Sequence, residues 1–382
     1  MMMRRPILSK VLPLVLLMIS GCSGWRVGEI SVHPECDWLM NGRDASRTWN
    51  APGPVPPPLK LLWKYDASAA TGSPVVADSI LFTGTYRGEL HAVTVAGGER
   101  IGRLSLEGPL HGTPLLDGSM LIAALASGEN TLLAIDVPTG DVVWNKKLGP
   151  IETSPVCHDR RLYVAAEDGT VYCLDKENGE ELWKYSLPDK KQGSRIRSSP
   201  ATNGRVLVFG CDDGTFVALD ANSGTLRWEV QTKASIFGSP AISKDRVIVG
   251  STDGVLYALN TGDGSICWKS DFGGTIYSSP AVTESTVVIG AANGRIRALS
   301  VTSGVQLWEY RAASVVSVAA VISNGVAYVG TLDRYLYAFD IHNGNILWKT
   351  RVEGRIRRPP VIWGGFVFVP VEDKFIYAFT SE

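Results

Sequence analysis

Along residues 59–382, hydrophobic positions fall in short runs of β-branched and aromatic side chains. Val206-Leu207-Val208-Phe209 and Val247-Ile248-Val249 are examples, each bounded by turn residues. Apolar positions at i, i+3 and i+4, which mark amphipathic helices, are absent. The runs belong to one recurring unit. Its clearest copies are Asp168-Gly169-Thr170-Val171-Tyr172-Cys173-Leu174-Asp175 before Leu182-Trp183-Lys184, and Asp213-Gly214-Thr215-Phe216-Val217-Ala218-Leu219-Asp220 before Leu226-Arg227-Trp228. A third is Asp253-Gly254-Val255-Leu256-Tyr257-Ala258-Leu259-Asn260 before Trp268. The unit's tryptophans stand at Trp63, Trp144, Trp183, Trp228, Trp268, Trp308 and Trp348, with Gly102 in one further place. Successive spacings are 39, 42, 39, 45, 40, 40 and 40 residues. One tryptophan per unit at the same strand position suits packing between neighbouring units, so these seven read as structural.

Each unit carries two glycine turns. The first is Asp-Gly or Asn-Gly at 168–169, 213–214, 253–254 and 293–294; the second is Asn178-Gly179, Ser223-Gly224, Asp263-Gly264, Ser303-Gly304 or Asn343-Gly344. Such pairs supply the positive φ of tight hairpins. A third signal opens the units: Ser73-Pro74, Thr113-Pro114, Ser154-Pro155, Ser199-Pro200, Ser239-Pro240 and Ser279-Pro280. Proline has no N–H and is tolerated at the first residue of a strand, which places these pairs at the start of an innermost strand. Four antiparallel strands in about 40 residues predict an all-β propeller. The last unit stops before its tryptophan strand, and Leu61-Leu62-Trp63-Lys64-Tyr65 is a tryptophan strand with no unit before it. Eight blades follow, closed by the N-terminal strand pairing into the C-terminal blade.

The pattern Asp-Gly-x-x-Tyr-Ala-Leu-Asp-x-x-x-Gly-x-x-x-Trp resembles the PQQ-type propeller repeat, a family named for quinoprotein dehydrogenases whose fold is shared by many proteins that bind no quinone. The resemblance covers about 85 percent of the chain and specifies fold, not function.

The N-terminus adds a location. Arg4, Arg5 and Lys10 precede an apolar run over residues 11–19, then Ser20, Gly21 and Cys22, which is the plan of a signal peptide. The run is about half the roughly 20 residues of a membrane-spanning helix. Ile19-Ser20-Gly21-Cys22 resembles the bacterial lipobox, which implies cleavage before Cys22 and acylation of that cysteine. Ser23, where an Asp would imply inner-membrane retention, implies the outer membrane, facing the periplasm. Three segments are therefore expected: a signal peptide over 1–21, a lipidated and proline-rich spacer over 22–58, and the propeller over 59–382.

Charge and cysteine content narrow the chemistry. Of the 37 Lys and Arg, three lie in the signal peptide, leaving 34 against 38 Asp and Glu, a net charge of −4. Nucleic acid is not an expected partner. Beyond Cys22 the cysteines are Cys36, Cys157, Cys173, Cys211 and Cys267, an odd number without a CxxC pair, which argues against a disulfide framework and a zinc site. Cys173 and Cys267 read as buried structural thiols. His33, His91, His111, His158 and His342 have no metal-ligand spacing, and the chain lacks HExxH and GxSxG motifs. The adjacent cysteine pair that the quinoprotein resemblance would require is also missing. No catalytic residue, metal or cofactor is assigned.

What remains is surface. Connections from a tryptophan strand to the next Ser-Pro gather at one mouth of a propeller, and two are basic: 190–197, ending Arg195-Ile196-Arg197, and 351–358, with Arg351, Arg355, Arg357 and Arg358. Arginine offers planar charge-assisted hydrogen bonds and an exposed isoleucine an anchor, so Arg195, Ile196, Arg197, Arg355, Arg357 and Arg358 are candidate partner contacts. A short eight-bladed propeller behind a lipobox is similar to the BamB-like lipoproteins of the machinery that folds β-barrels into the outer membrane. That resemblance implies a monomeric, non-catalytic scaffold, held by lipid at Cys22, whose partner is the barrel-assembly subunit. The alternatives are a PQQ-dependent dehydrogenase and an envelope propeller binding a small ligand or glycan.

Overall fold

The computed structural model describes residues 24–68, 70–188, 195–372 and 374–381, and all their helix or strand elements are β-strands. Cys22 and residues 190–194 of the first basic loop lie outside the described residues. Eight four-stranded antiparallel sheets form the blades: 75–105, 115–146, 156–186, 201–231, 241–271, 281–311, 321–351, and 361–381 together with Leu59–Asp66. Leu59–Asp66 pairs antiparallel with Phe375–Ser381, Trp63 opposite Ala378, and so completes blade 8 from the other end of the chain.

The repeat motifs each make one bond that the fold needs. In the Asp-Gly turns the glycines have φ of +89°, +84° and +86° at Gly169, Gly214 and Gly254. The preceding Asp168, Asp213 and Asp253 carboxylates accept from the backbone N–H of Thr170, Thr215 and Val255, each at 2.9 Å, which locks the hairpin. The serine or threonine before each proline stitches blades together. Ser73 N–H donates to Thr113 Oγ1 (3.1 Å), Thr113 N–H to Ser154 Oγ (2.9 Å), Ser154 N–H to Ser199 Oγ (2.9 Å) and Ser239 N–H to Ser279 Oγ (2.9 Å).

Six of the seven repeat tryptophans, all but Trp348, lie across the second glycine turn of the next blade. The Nε1 atoms of Trp63, Trp144, Trp183, Trp228, Trp268 and Trp308 donate to the backbone oxygens of Val95, Lys176, Ala221, Thr261, Val301 and Ile341 at 2.7–3.2 Å. A side chain at Gly98, Gly179, Gly224, Gly264, Gly304 or Gly344 would strike the indole. Gly102, opposite Ala92 in the register where Trp144 faces Ala134, leaves this bridge missing between blades 1 and 2. Trp25 fills it. Its indole rests on Gly102 and Gly140 and donates to Val137 O at 2.7 Å, the bond a tryptophan at 102 would have made.

Residues 24–58, expected as a spacer, are instead built into the ring. Residues 24–26 bond to the outer strand of blade 1 (Arg26 N–H to Ile101 O, 2.9 Å; Arg103 N–H to Gly24 O, 3.2 Å). The chain then enters the channel and makes one circuit of the innermost strands. Asp37 accepts from Trp363 of blade 8 (2.6 Å). Trp38 pairs with Val76 of blade 1, and Leu39 O accepts from Leu116 of blade 2. Ala45, Ser46, Thr48 and Trp49 carbonyls accept in turn from Thr202, Ile242, Val282 and Ile322 of blades 4 to 7. Asn50–Ala51 then runs parallel to the inner strand of blade 7. The proline-rich stretch packs too: Val55 is buried, and its carbonyl accepts from the Tyr328 hydroxyl. Prolines lack the N–H that a free chain would have to satisfy, so their density marked irregular backbone without marking separation from the core.

The blade 8–blade 1 junction holds a buried polar chain. Tyr65 Oη lies 2.8 Å from His91 Nδ1, and His91 Nε2 lies 2.9 Å from Glu89, which also pairs with Arg103. Burial pushes the His91 imidazole below its ordinary value, with Glu89 opposing. The unfolded chain takes up this proton near pH 6.5 while the folded chain resists it, so below about pH 6.5 the unfolded state binds more protons and stability falls. Denaturation midpoints at pH 7.5 and 5.5 should show that loss in the native chain and a smaller one in His91→Asn. Equal losses would remove His91 as the cause.

Candidate functional site

The connections from tryptophan strand to inner strand and the Asp-Gly turns share one face of the ring, here the upper face. In each connection the residue three before the Ser-Pro pattern's proline position faces the channel mouth, giving Thr71, His111, Glu152, Arg197, Phe237, Tyr277, Ser317 and Arg357 as its rim. The residue before each rim position is apolar and buried: Ala70, Leu110, Ile151, Ile196, Ile236, Ile276, Val316 and Ile356. Several of these press on a glycine at the end of a neighbouring strand, as Ile236 does on Gly210 and Ile356 on Gly330. Ile196 is therefore fully buried, with Val156, Ala165 and Phe209 in its cluster, and is no exposed anchor. Its place in the repeat, three residues before Ser199, was the signal that it belongs to the core.

The two basic connections do meet. Arg197, Arg357 and Arg358 line one hollow of about 170 Å³ together with Phe237 and Tyr277. Phe237 and Tyr277 are stacked at 6.0 Å, Arg197 lies 5.8 Å over the Phe237 ring, and Arg358 donates to Tyr86 Oη at 3.0 Å. Most of these charges are answered locally: Arg195 by Glu167 (2.5 Å), Arg197 by Asp212 (3.4 Å), Arg357 by Glu372 (2.9 Å). Arg355, 3.9 Å from Glu372, faces a separate cleft between blades 7 and 8. The aromatic residues of the rim were not singled out in the sequence, although each directly follows the buried apolar residue of its connection.

Below the rim the channel is closed. Asn41 and Trp49 floor the hollow, and Trp38 and Trp49 lie buried against each other with centroids 5.9 Å apart. Arg47 is wholly buried; its Nε donates to Pro200 O (2.6 Å), one terminal nitrogen to Asn41 O (2.6 Å) and the other to Ser154 O (2.9 Å). Burial pushes this guanidinium down to about 9, with Asp44 opposing, so it is charged at neutral pH. A quinone of the kind the repeat family is named for does not fit here, because the chain's own residues 37–51 occupy the channel. The two hollows at the channel mouth, of about 150 and 170 Å³, are small beside the roughly 300–1,000 Å³ of ordinary ligand pockets. Among the described residues no group of His, Cys, Asp or Glu could hold a metal ion.

The thiols divide by position. Cys157, Cys173 and Cys211 are buried, and burial pushes Cys157 and Cys173 up to about 12, so they are inert. Cys267 is exposed, contrary to expectation, because the residue before the tryptophan of an outer strand points away from the neighbouring blade.

The family model described as "Outer membrane protein assembly factor BamB" matches residues 57–150, 122–239, 217–319 and 312–382. The protein of that name from Alkalilimnicola ehrlichii is 29% identical over 137 residues, 33% of this chain and 34% of that one. The one from Yersinia pestis is 27% identical over 137 residues, 32% and 35% of the two chains. The matched part spans about a third of the length of these curated relatives. Among solved structures, BamB from Moraxella catarrhalis covers 84% of this chain and 99% of its own, with a TM-score of 0.71 at 17% identity. The quinohemoprotein alcohol dehydrogenase from Comamonas testosteroni covers 90% and 80%, with a TM-score of 0.76 at 14% identity. At those identities the structural likenesses speak for the fold alone, whereas the family model runs through every blade: the chain belongs to the family of the outer membrane protein assembly factor BamB.

Proposed function

We propose that this chain is a non-catalytic, monomeric docking platform in the assembly of outer-membrane β-barrels, anchored by lipid at Cys22 and facing the periplasm. The observation that supports this most is the channel filled by residues 37–51, which leaves a closed ring whose available chemistry is the basic and aromatic upper face. The names of the relatives supply the process. Arg195, Arg197, Arg355, Arg357 and Arg358 are the proposed contacts on that face, and the barrel-assembly subunit the proposed partner. Gly24 is bonded to the outer strand of blade 1, and two residues span at most about 7 Å, so lipid on Cys22 would hold that edge close to the bilayer. Anchoring raises the effective concentration of the platform for a membrane-bound partner.

The test is affinity capture of the full-length lipidated protein from detergent-solubilised envelopes, with Cys22→Ala as control, followed by mass spectrometry. Enrichment of the barrel-assembly subunit is expected; its absence while another envelope complex appears would end this assignment. Charge reversal at Arg195→Glu and Arg197→Glu should cut capture about tenfold, because like charges then face the partner and Glu167 and Asp212 lose their partners. Unchanged capture would take that connection out of the interface.

A further inference from the structure

Six of the eight blades close the upper hairpin through one pair of backbone bonds, and a seventh shares one bond of the pair. The turn residue's N–H reaches back to a carbonyl three residues earlier in Gly88, Gly169, Gly214, Gly254, Gly294 and Arg334. Its own carbonyl accepts from the next connection in all of these, and Lys374 O accepts from Ala67 in the same way. In five blades the residue is glycine with φ between +73° and +89°. In blades 7 and 8 it is Arg334, at +75°, and Lys374, at +101°. A non-glycine residue in this region costs free energy, since its Cβ crowds the backbone.

At three of the five glycines, Gly88, Gly214 and Gly294, a Cβ would come closer than 3.0 Å to a backbone oxygen. A Cβ on Gly214 would lie 2.7 Å from Ala234 O, and one on Gly294 would lie 2.3 Å from Ala312 O. Blades 7 and 8 thus depart from the repeat twice, side by side, each time exchanging glycine for a cation in a strained backbone. Five blades carry glycine at this position, so the strain accepted at Arg334 and Lys374 points to a use of their side chains other than folding.

The surroundings say what that is. Arg334 joins Arg351 and Arg355 around a cleft of about 510 Å³ between the two blades, which Asp333 and Glu372 also line. Lys374 pairs instead with Asp66 (3.6 Å). We infer that the cleft is a docking site for an acidic segment of polypeptide, built in part by placing Arg334 at a turn position where five other blades carry glycine. This rests on the docking-platform reading and locates a second contact on the same face. A concave cleft carrying both signs of charge suits a chain that presents carboxylates at intervals and backbone N–H groups between them. A flat anionic bilayer could not enter the concavity and would meet Asp333 and Glu372 at its edge.

Fluorescence anisotropy with the full-length protein in detergent tests this directly. The probe is a fluorescein-labelled dodecapeptide of alternating Glu and Gly at low salt, and phosphatidylglycerol vesicles form the second arm. Arg334→Gly should weaken peptide binding about threefold to fivefold, while the thermal midpoint stays level or rises as the turn regains the glycine of the other blades. Failure of the native chain to bind the peptide, equal binding by the variant, or a lower midpoint in the variant would overturn the proposal. Vesicle binding that depends on Arg334 without peptide binding would overturn it as well. The titration needs no barrel-assembly partner, so it can fail while the capture experiment succeeds, and the reverse.

Discussion

Trp25→Ala should destabilise the chain by roughly 3–5 kcal/mol, the usual cost of emptying a buried tryptophan site, and a second substitution, Gly102→Trp, should restore most of it. Gly102 stands opposite Ala92 as Trp144 stands opposite Ala134. A tryptophan there would reach the turn at Gly140 that Trp25 now covers. With Trp25 in place, Gly102→Trp is expected to be harmful, since even a Cβ on Gly102 would come within 2.6 Å of the indole. The same substitution thus changes sign with its background, a coupling that a double-mutant cycle in urea measures directly. Additive effects of the two changes would refute the idea that Trp25 occupies the vacant repeat position.

Arg47→Met should cost roughly 3 kcal/mol, because it strips charge-assisted donors from the buried carbonyls of Asn41, Ser154 and Pro200. Arg47→Lys keeps the charge but loses the planar fork, so it should recover only part of the loss. The midpoint of chemical denaturation reports the energy, and limited proteolysis within residues 37–50 reports whether the segment has left the channel. A native midpoint in Arg47→Met would mean that the backbone bonds to the inner strands hold the segment unaided. The cleavage pattern would then stay native too.

The ring itself was legible in the sequence because most blades repeat the same instructions: a turn glycine, a hydroxyl before proline, a tryptophan at a fixed place. Strand order, blade number and the closure by Leu59–Asp66 all follow from period and ends. The N-terminal segment was not legible, because it has no repeat. Its contacts are single backbone bonds at Leu39, Ala45, Ser46, Thr48 and Trp49, each to a different blade, and backbone bonds leave no mark on residue type. Two clues stood in plain sight: a glycine where the repeat wants tryptophan, and a tryptophan at 25 with no repeat of its own. Ile196 was misplaced for the opposite reason. Its charged neighbours drew the eye, while the period, which puts Ile236 and Ile276 in the same role, assigned it to the core.

The circuit of residues 37–51 also bears on how the number of blades can change over time. Repeats of this kind are gained and lost by duplication and deletion of whole units, and an open stack of blades would tolerate either. Here the leader addresses blade 8, then 1, 2, 4, 5, 6 and 7 in order, with Arg47 reaching blades 3 and 4 from the side. It works as a measuring tape cut to one circumference. A ring of seven or nine blades would leave its last contacts out of step with the strands they meet, so descendants of this chain can vary their loops freely but are held to eight.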